Sequence, residues 1–490
     1  MSEILLSPGV LARENDNTFI TAQPIQAGAA LIGPTAKGRV EIPTIVTSWS
    51  DYVNKFGSSV ISGSNTYTYF TSISAYNYFQ QGGNTLLVTR VTSGSYTSAT
   101  SSLIANSDTS ASFSLETINE GVIANSTGTE GASGELSNGT ADNIRWEIIS
   151  PDTSSGTFSL LVRRGDDITT SKSVLETWSD LSLDPNSSNY IARVIGDQKE
   201  NVRTDGTSYY IQNSGSYANA SRYIRVKSVD TPTLNYFDNA GNAKSEFTSS
   251  IPTAASGTFG GAVGTDFDGV EATFYNEIDS TNVQGLSAAD YTVAINLLAN
   301  KDEFKYNVIT APGLYKADYS APVTALIDNA RFRGDNIAVV DMVKYGSTLT
   351  AVKTQAAGID SSYGATYWPW VQTLDPTSGR QVWVPSSTMI PGVFAFTDTS
   401  GEPWFAPAGL NRGGLSTVIR AERKLSSGDK DALYQSKINP IATQPRVGVV
   451  IMGQKTLQKK ASALDRINVR RLLIELKSYI TQVADNLVFE

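Results

Sequence analysis

Three neighbouring stretches decide the fold: Tyr306-Asn307-Val308-Ile309-Thr310, then Ala321 to Arg333, then Asn336-Ile337-Ala338-Val339-Val340-Asp341. The first and third are short apolar runs rich in β-branched residues, the pattern of strands buried on both faces. Between them lies a segment of helical length with Pro322 in its first turn, a position where proline is tolerated. Strand, helix, strand predicts a βαβ unit, hence a parallel sheet with a right-handed crossover.

Working outward, Ser287-Ala288-Ala289-Asp290 has the form of a capping box, with Asp in place of Glu or Gln, opening a helix through Leu298. On the amino-terminal side, Ala27 to Ile32 and Thr85 to Val91 read as further buried strands. Asp51 to Gly57 reads as a short helix stopped by glycine, and Tyr69 to Gln81 as a longer one stopped by Gly82-Gly83. Between residues 92 and 284 the composition shifts to Ser, Thr, Gly and Asn. Phe158 to Arg163 and Tyr223 to Val226 are strand-like there, and Ala255 to Ala262 reads as a loop. Beyond Asp375-Pro376-Thr377-Ser378-Gly379, which punctuates two strand-like runs, the chain alternates a helix near 429–434, a strand at 447–452 and a long helix from about Ala463.

The expected fold class is therefore α/β (α+β) and multidomain: a βαβ-containing core, an inserted β-rich domain and an extended N-terminal arm. The expected divisions are an arm at 1–20, the first part of the core at 21–91, an outward-facing insertion at 92–284, the second part of the core at 285–404, and an inner domain at 405–490. A length of 490 residues accommodates about three domains. In the arm, Ser7-Pro8-Gly9 is turn chemistry, and an extended segment there would need a partner's sheet edge to satisfy its backbone.

Composition excludes much chemistry. Cysteine and histidine are absent. Thiolate metal sites, disulfides, cysteine nucleophiles, Ser-His-Asp triads and histidine zinc sites are ruled out. The net charge of −9 argues against a general nucleic-acid binder. No run approaches the ~20 apolar residues needed to cross a bilayer. The N-terminus also lacks a signal-peptide pattern, so the chain reads as soluble and cytoplasmically made.

Nucleotide loops fail on inspection. Gly257-Thr258-Phe259-Gly260-Gly261 has the wrong spacing for a dinucleotide fingerprint, and Gly453-Gln454-Lys455-Thr456 lacks the Gly-Lys pair of a P-loop. Asp266-Phe267-Asp268-Gly269 resembles part of a calcium loop but lacks its remaining ligands and closing Glu. No cofactor, metal or catalytic set is expected, and the chain reads as a non-enzyme. Tyr367-Trp368-Pro369-Trp370, with Trp383 and Trp404, fits a core or interface better than a carbohydrate platform.

The C-terminal helix carries the most information. At about 100° per residue, Val469, Leu472, Leu476, Ile480, Val483 and Leu487 share one face. Arg466, Arg470 and Lys477 form a neighbouring stripe, with Ile467 and Ile474 beyond it. Cations flanked on both sides by apolar residues predict a helix buried except for one charged seam, which would meet an acidic partner.

Several stretches together resemble contractile tail sheath proteins of myovirus-type bacteriophages. They are Ile438-Asn439-Pro440-Ile441, Gly448 to Leu457, Leu464 to Leu472, Leu6 to Val10, Pro403 to Gly413 and Leu181 to Pro185. The resemblance implies a structural subunit that polymerises as stacked rings around an inner tail tube and contracts to drive the tube through the host envelope. It assigns Arg466, Arg470, Arg471 and Lys477 to the tube interface. It assigns Ser7, Pro8, Gly9, Val10 and Leu11 to an arm that adds a strand to a neighbour's sheet.

Implied partners are further copies of the chain, the inner tube protein, and baseplate and tail terminator proteins, with no direct nucleic-acid contact and no membrane insertion. The implied location is the virion tail, after assembly in the host cytoplasm. Chains of this family continue past the position of Glu490 into further strands and a C-terminal arm, so a sheath built from this stretch alone would lack part of its mesh. The sheath of a bacteriocin or secretion machine is the alternative. A tail-associated glycan-binding or glycan-cleaving protein is a more distant one.

Overall fold

The structure, a computed structural model, describes residues 26–62, 65–206, 208–264 and 275–485. Ser7, Pro8, Gly9, Val10 and Leu11 of the expected arm, Asp266 to Gly269 and Leu487 lie outside the described residues.

A six-stranded sheet organises the largest hydrophobic core. Strands β1 (Ala29–Gly33), β2 (Thr44–Val46), β3 (Leu86–Arg90), β4 (Val308–Tyr315), β5 (Ile337–Asp341) and β6 (Gly364–Ala365) lie in the order β6-β5-β4-β1-β3-β2. Every adjacent pair is parallel except β3 with β2. All residues of β1, β3, β4 and β5 are buried, as strands of a parallel sheet covered on both faces must be.

The helices that cover the sheet are α1 (Trp49–Phe56), α2 (Phe70–Gln80), α3 (Tyr291–Leu297), α4 (Ser320–Arg333), α5 (Leu349–Ala357) and α6 (Ile390–Ser400). The β4-α4-β5 crossover is the expected βαβ unit. Gly334, in the left-handed region at φ 74°, ends α4 without the strain a side chain would add. The Ser287–Asp290 pair forms, with the Ser287 amide and hydroxyl both donating to the Asp290 carboxylate, but α3 begins only at Tyr291. The polar pair there closes a turn before the helix instead of capping its first residue.

A second hydrophobic core lies in the region 98–260. One sheet runs Val174–Ser182, Thr157–Arg164, Ile144–Asp152, Ala255–Gly257; the other runs Ile224–Val229, Ala111–Glu120, Ser98–Ser101, Phe259–Gly260. Phe113 and Phe158, one from each sheet, stack at 5.4 Å, and Trp146 and Leu160 are buried beside them. The stretch 255–262, expected as a loop, instead supplies one short edge strand to each sheet. Two of the glycines that read as loop chemistry are there for close packing: a Cβ on Gly257 would fall 2.2 Å from the Trp146 ring, and one on Gly260 2.2 Å from the Thr127 side chain.

The two cores are separate clusters, and the joint between them is polar. Buried Arg90, at the end of β3, donates to the carbonyls of Gly38 and Glu120. Lys37 pairs with Asp142 at 2.8 Å, and the Val40 amide donates to Glu120 at 3.0 Å. Clefts of about 390 and 330 Å³ flank this joint and share Asn54, Asn119 and Tyr223 in their walls.

Candidate functional site

The C-terminal region is built around two more helices, α7 (Ser427–Gln435) and α8 (Ile467–Asp485). Ser426 and Asp429 close a full capping box at the start of α7, consistent with the helix expected near 429–434. Strands Asn439–Gln444 and Gly448–Ile451 pair antiparallel, and the first also pairs in parallel with Tyr367–Trp368, tying this region to the core. A 3-10 turn at Ala463–Asp465 leads into α8.

The amino-terminal half of α8 is held down by its arginines. Arg471 donates to both carboxylate oxygens of Asp398 on α6 at 2.6 Å and lies over the Phe394 ring at 4.9 Å. Burial raises the Asp398 carboxyl above its usual range, and the Arg471 guanidinium only partly opposes this. Arg470 lies over the Tyr363 ring at 4.1 Å and donates to the Ser362 hydroxyl. Burial lowers its own pKa, with Tyr363 acting the other way. Arg466 donates to the Tyr434 hydroxyl on α7 and pairs with Asp465 at 3.3 Å. Asp465 also takes Lys455 at 2.5 Å and Lys437 at 3.3 Å. Burial alone would push the Asp465 carboxyl up, but the hydrogen bonds from Lys455 and Lys437 bring it below the usual range.

The helix therefore differs from the expected charged seam. Arg470 and Arg471 are each only 5% exposed, while Arg466 is half-buried and Lys477 is exposed. Two of the four assigned cations are thus enclosed by their own subunit. The apolar face differs in the opposite sense: Leu476, Tyr479, Ile480 and Val483 are all exposed, Tyr479 by 67%. The physical reason is that a guanidinium can be buried on an aromatic face with a carboxylate or hydroxyl at its edge. Phe394, Tyr363 and Tyr434, the residues that provide those faces, are remote in sequence, so wheel spacing carried no signal of them.

Charge is unevenly distributed along the chain. Residues 405–490 hold 14 Lys and Arg against seven Asp and Glu, a net +7. With −9 overall, residues 1–404 carry −16. Trp368, Trp370 and Trp383 are buried in the core, as the reading of that cluster as core or interface anticipated, and Trp404 is 39% exposed. Among the described residues no group of three or more His, Cys, Asp or Glu could hold a metal ion. No helix among them is long and apolar enough to cross a membrane.

Comparison with known proteins finds similarity to tail sheath proteins. Residues 284–457 match the model of the phage tail sheath protein central domain. The chain is 42% identical over 139 residues to the tail sheath protein of Vibrio phage KVP40, a stretch covering 28% of this chain and 20% of that protein. It is 32% identical over 169 residues to the tail sheath protein of Enterobacteria phage T4, covering 34% of this chain and 24% of that one. The match thus spans about a fifth to a quarter of the length of these curated relatives. In fold, the chain is similar to the sheath tail protein of Listeria innocua, with a TM-score of 0.52, 11% identity, and coverage of 92% of this chain and 75% of that one. The chain is thus similar to phage tail sheath proteins, and its residues 284–457 match the model of their central domain.

Proposed function

We propose that the chain is a structural subunit of a contractile tail sheath: copies stack as rings around an inner tube, and contraction of the sheath drives the tube through the host envelope. The observation that carries this reading is the match of residues 284–457 to the sheath central domain, overlapped by a C-terminal region, 405–490, of net +7. In this reading the cationic region faces an acidic inner tube; of the assigned residues Lys477 is exposed, and Arg466 is half-buried beside Tyr434 and Asp465. Arg470 and Arg471 serve the same surface indirectly, by holding α8 in place. Residues 1–20 act as the arm that adds a strand to a neighbouring subunit. The remaining partners are baseplate and tail terminator proteins, and the working location is the virion tail after assembly in the host cytoplasm. Both curated relatives above are phage proteins, which favours a phage tail over another contractile machine.

Co-sedimentation of the full chain with purified inner tube protein tests the tube contact. Binding should weaken steeply with added salt, because exposed charge pairs are screened over about 10 Å at 0.1 M ionic strength. The R466E/K477E double variant should lose binding. Binding indifferent to both salt and charge reversal would contradict the reading.

A further inference from the structure

A groove of about 490 Å³ lies between α5 and the turns at 435–437 and 457–459. Lys353, Lys437 and Lys459 line it, and no carboxylate does. Its floor is apolar, with Ala356, Ile359 and Leu457 all buried. Lys437 reaches back to Asp465 at 3.3 Å, whereas Lys353 and Lys459 form no ion pair among the described residues. Asp360, next to the groove, accepts the backbone amide of Lys459 at 2.8 Å. Lys353 and Lys459, without an ion pair among the described residues, and Lys437, shared with Asp465, give this concave, partly apolar surface a positive potential. The arrangement suits an acidic segment entering from outside.

The occupant is argued from the charge map. A second copy presents a C-terminal region of +7 and a remainder of −16. Two C-terminal regions placed face to face repel, whereas a C-terminal region against the remainder of another copy attracts. Charge therefore favours unlike surfaces in contact. Contacts between unlike surfaces are heterologous, and they generate rings or open helical filaments instead of closed two-fold dimers.

We propose that the Lys353–Lys437–Lys459 groove receives an acidic surface of a second copy of the chain, making it one half of a heterologous subunit contact. The inference rests on the sheath reading above, and it specifies which surface joins copies and what chemistry joins them.

Sedimentation velocity of the full-length protein, over a range of salt, tests it with the K353E/K459E variant and the milder K353Q/K459Q variant. Wild-type polymers should shorten as salt rises. K353E/K459E should remain monomeric and K353Q/K459Q should form shorter polymers, both with wild-type circular dichroism and melting midpoint. A small proportion of K353E/K459E added to wild type should shorten the wild-type polymers severalfold, because its acidic surface still fills a wild-type groove while its own groove accepts nothing. Polymerisation of K353E/K459E like wild type, or failure to cap, overturns the inference while leaving the sheath reading standing. K353E/K459E that polymerises but no longer binds purified inner tube protein assigns the groove to the tube and likewise overturns the second-copy occupant. Wild type that stays monomeric at every salt concentration, with or without tube protein, overturns the sheath reading and this inference with it.

Discussion

Arg471 and Asp398 show how one side chain can set the posture of a helix. The pair is mostly buried, and removing the guanidinium leaves the Asp398 carboxylate desolvated without its partner. We expect R471A to lose about 3 kcal/mol of stability, the cost typical of breaking a buried ion pair from one side, measured by urea unfolding. Asp341, at the end of β5, offers a pH test. Its carboxyl accepts from the Ser387 amide and from the Ser386 and Ser387 hydroxyls, but burial dominates and pushes it up to about 6. The folded chain therefore holds this proton more tightly than the unfolded chain does. The resulting stabilisation is fully present below about pH 4 and is lost as pH rises through about 6, a change of about 3 kcal/mol. Wild type should lose that increment relative to D341N between pH 4 and 7, and parallel pH profiles for the two proteins would contradict the assignment. Neither residue was legible in the sequence. Asp398 sits among Thr397 and Thr399 with nothing to mark it, and Asp341 read only as the end of a strand. The partners of both come from distant segments, and burial is a tertiary property.

At the scale of elements, α8 divides into an anchored half and a projecting half. Ile467 is buried and Ile474 partly so, whereas Leu476, Tyr479, Ile480 and Val483 face outward. Hydrogen exchange should show strong protection near 467–474 and weak protection near 476–483 in the isolated chain. R471A should lower protection in the first half, and K477E should leave it unchanged. Uniform protection along α8 would contradict the division. The existence of this helix, like that of β4, α4, β5 and α2, was legible because each has a long apolar period or a dense β-branched run. The burial of its two faces was not. Helical periodicity reports which residues share a face, and here the face with arginines found aromatic cover while the distal apolar face did not. The stretch 255–262 failed for a related reason: Gly257 and Gly260 look like loop residues, but Trp146 and Thr127, from distant segments, leave no room for a side chain at those two positions.

At the scale of the molecule, the two hydrophobic cores form separate clusters among the described residues, and charged and backbone groups lie at their joint. Calorimetry should therefore resolve two unfolding transitions, since an interface this polar couples domains weakly. R90A, which removes the buried guanidinium that bridges Gly38 and Glu120, should lower the midpoint of at least one transition and widen the gap between the two, and a single cooperative transition would show tighter coupling. The βαβ core was legible in the sequence because local pattern and global fold agree there. The charge polarity was equally present in the sequence, but it gains meaning only once Arg470 and Arg471 are seen to be enclosed, while Lys353 and Lys459 form no ion pair among the described residues. The proposal at this scale is that many copies of this chain surround a cylinder. Electron microscopy of the protein incubated with purified inner tail tube protein tests it directly. The account predicts stacked rings sheathing the tube, and bare tubes beside dispersed monomers would contradict it.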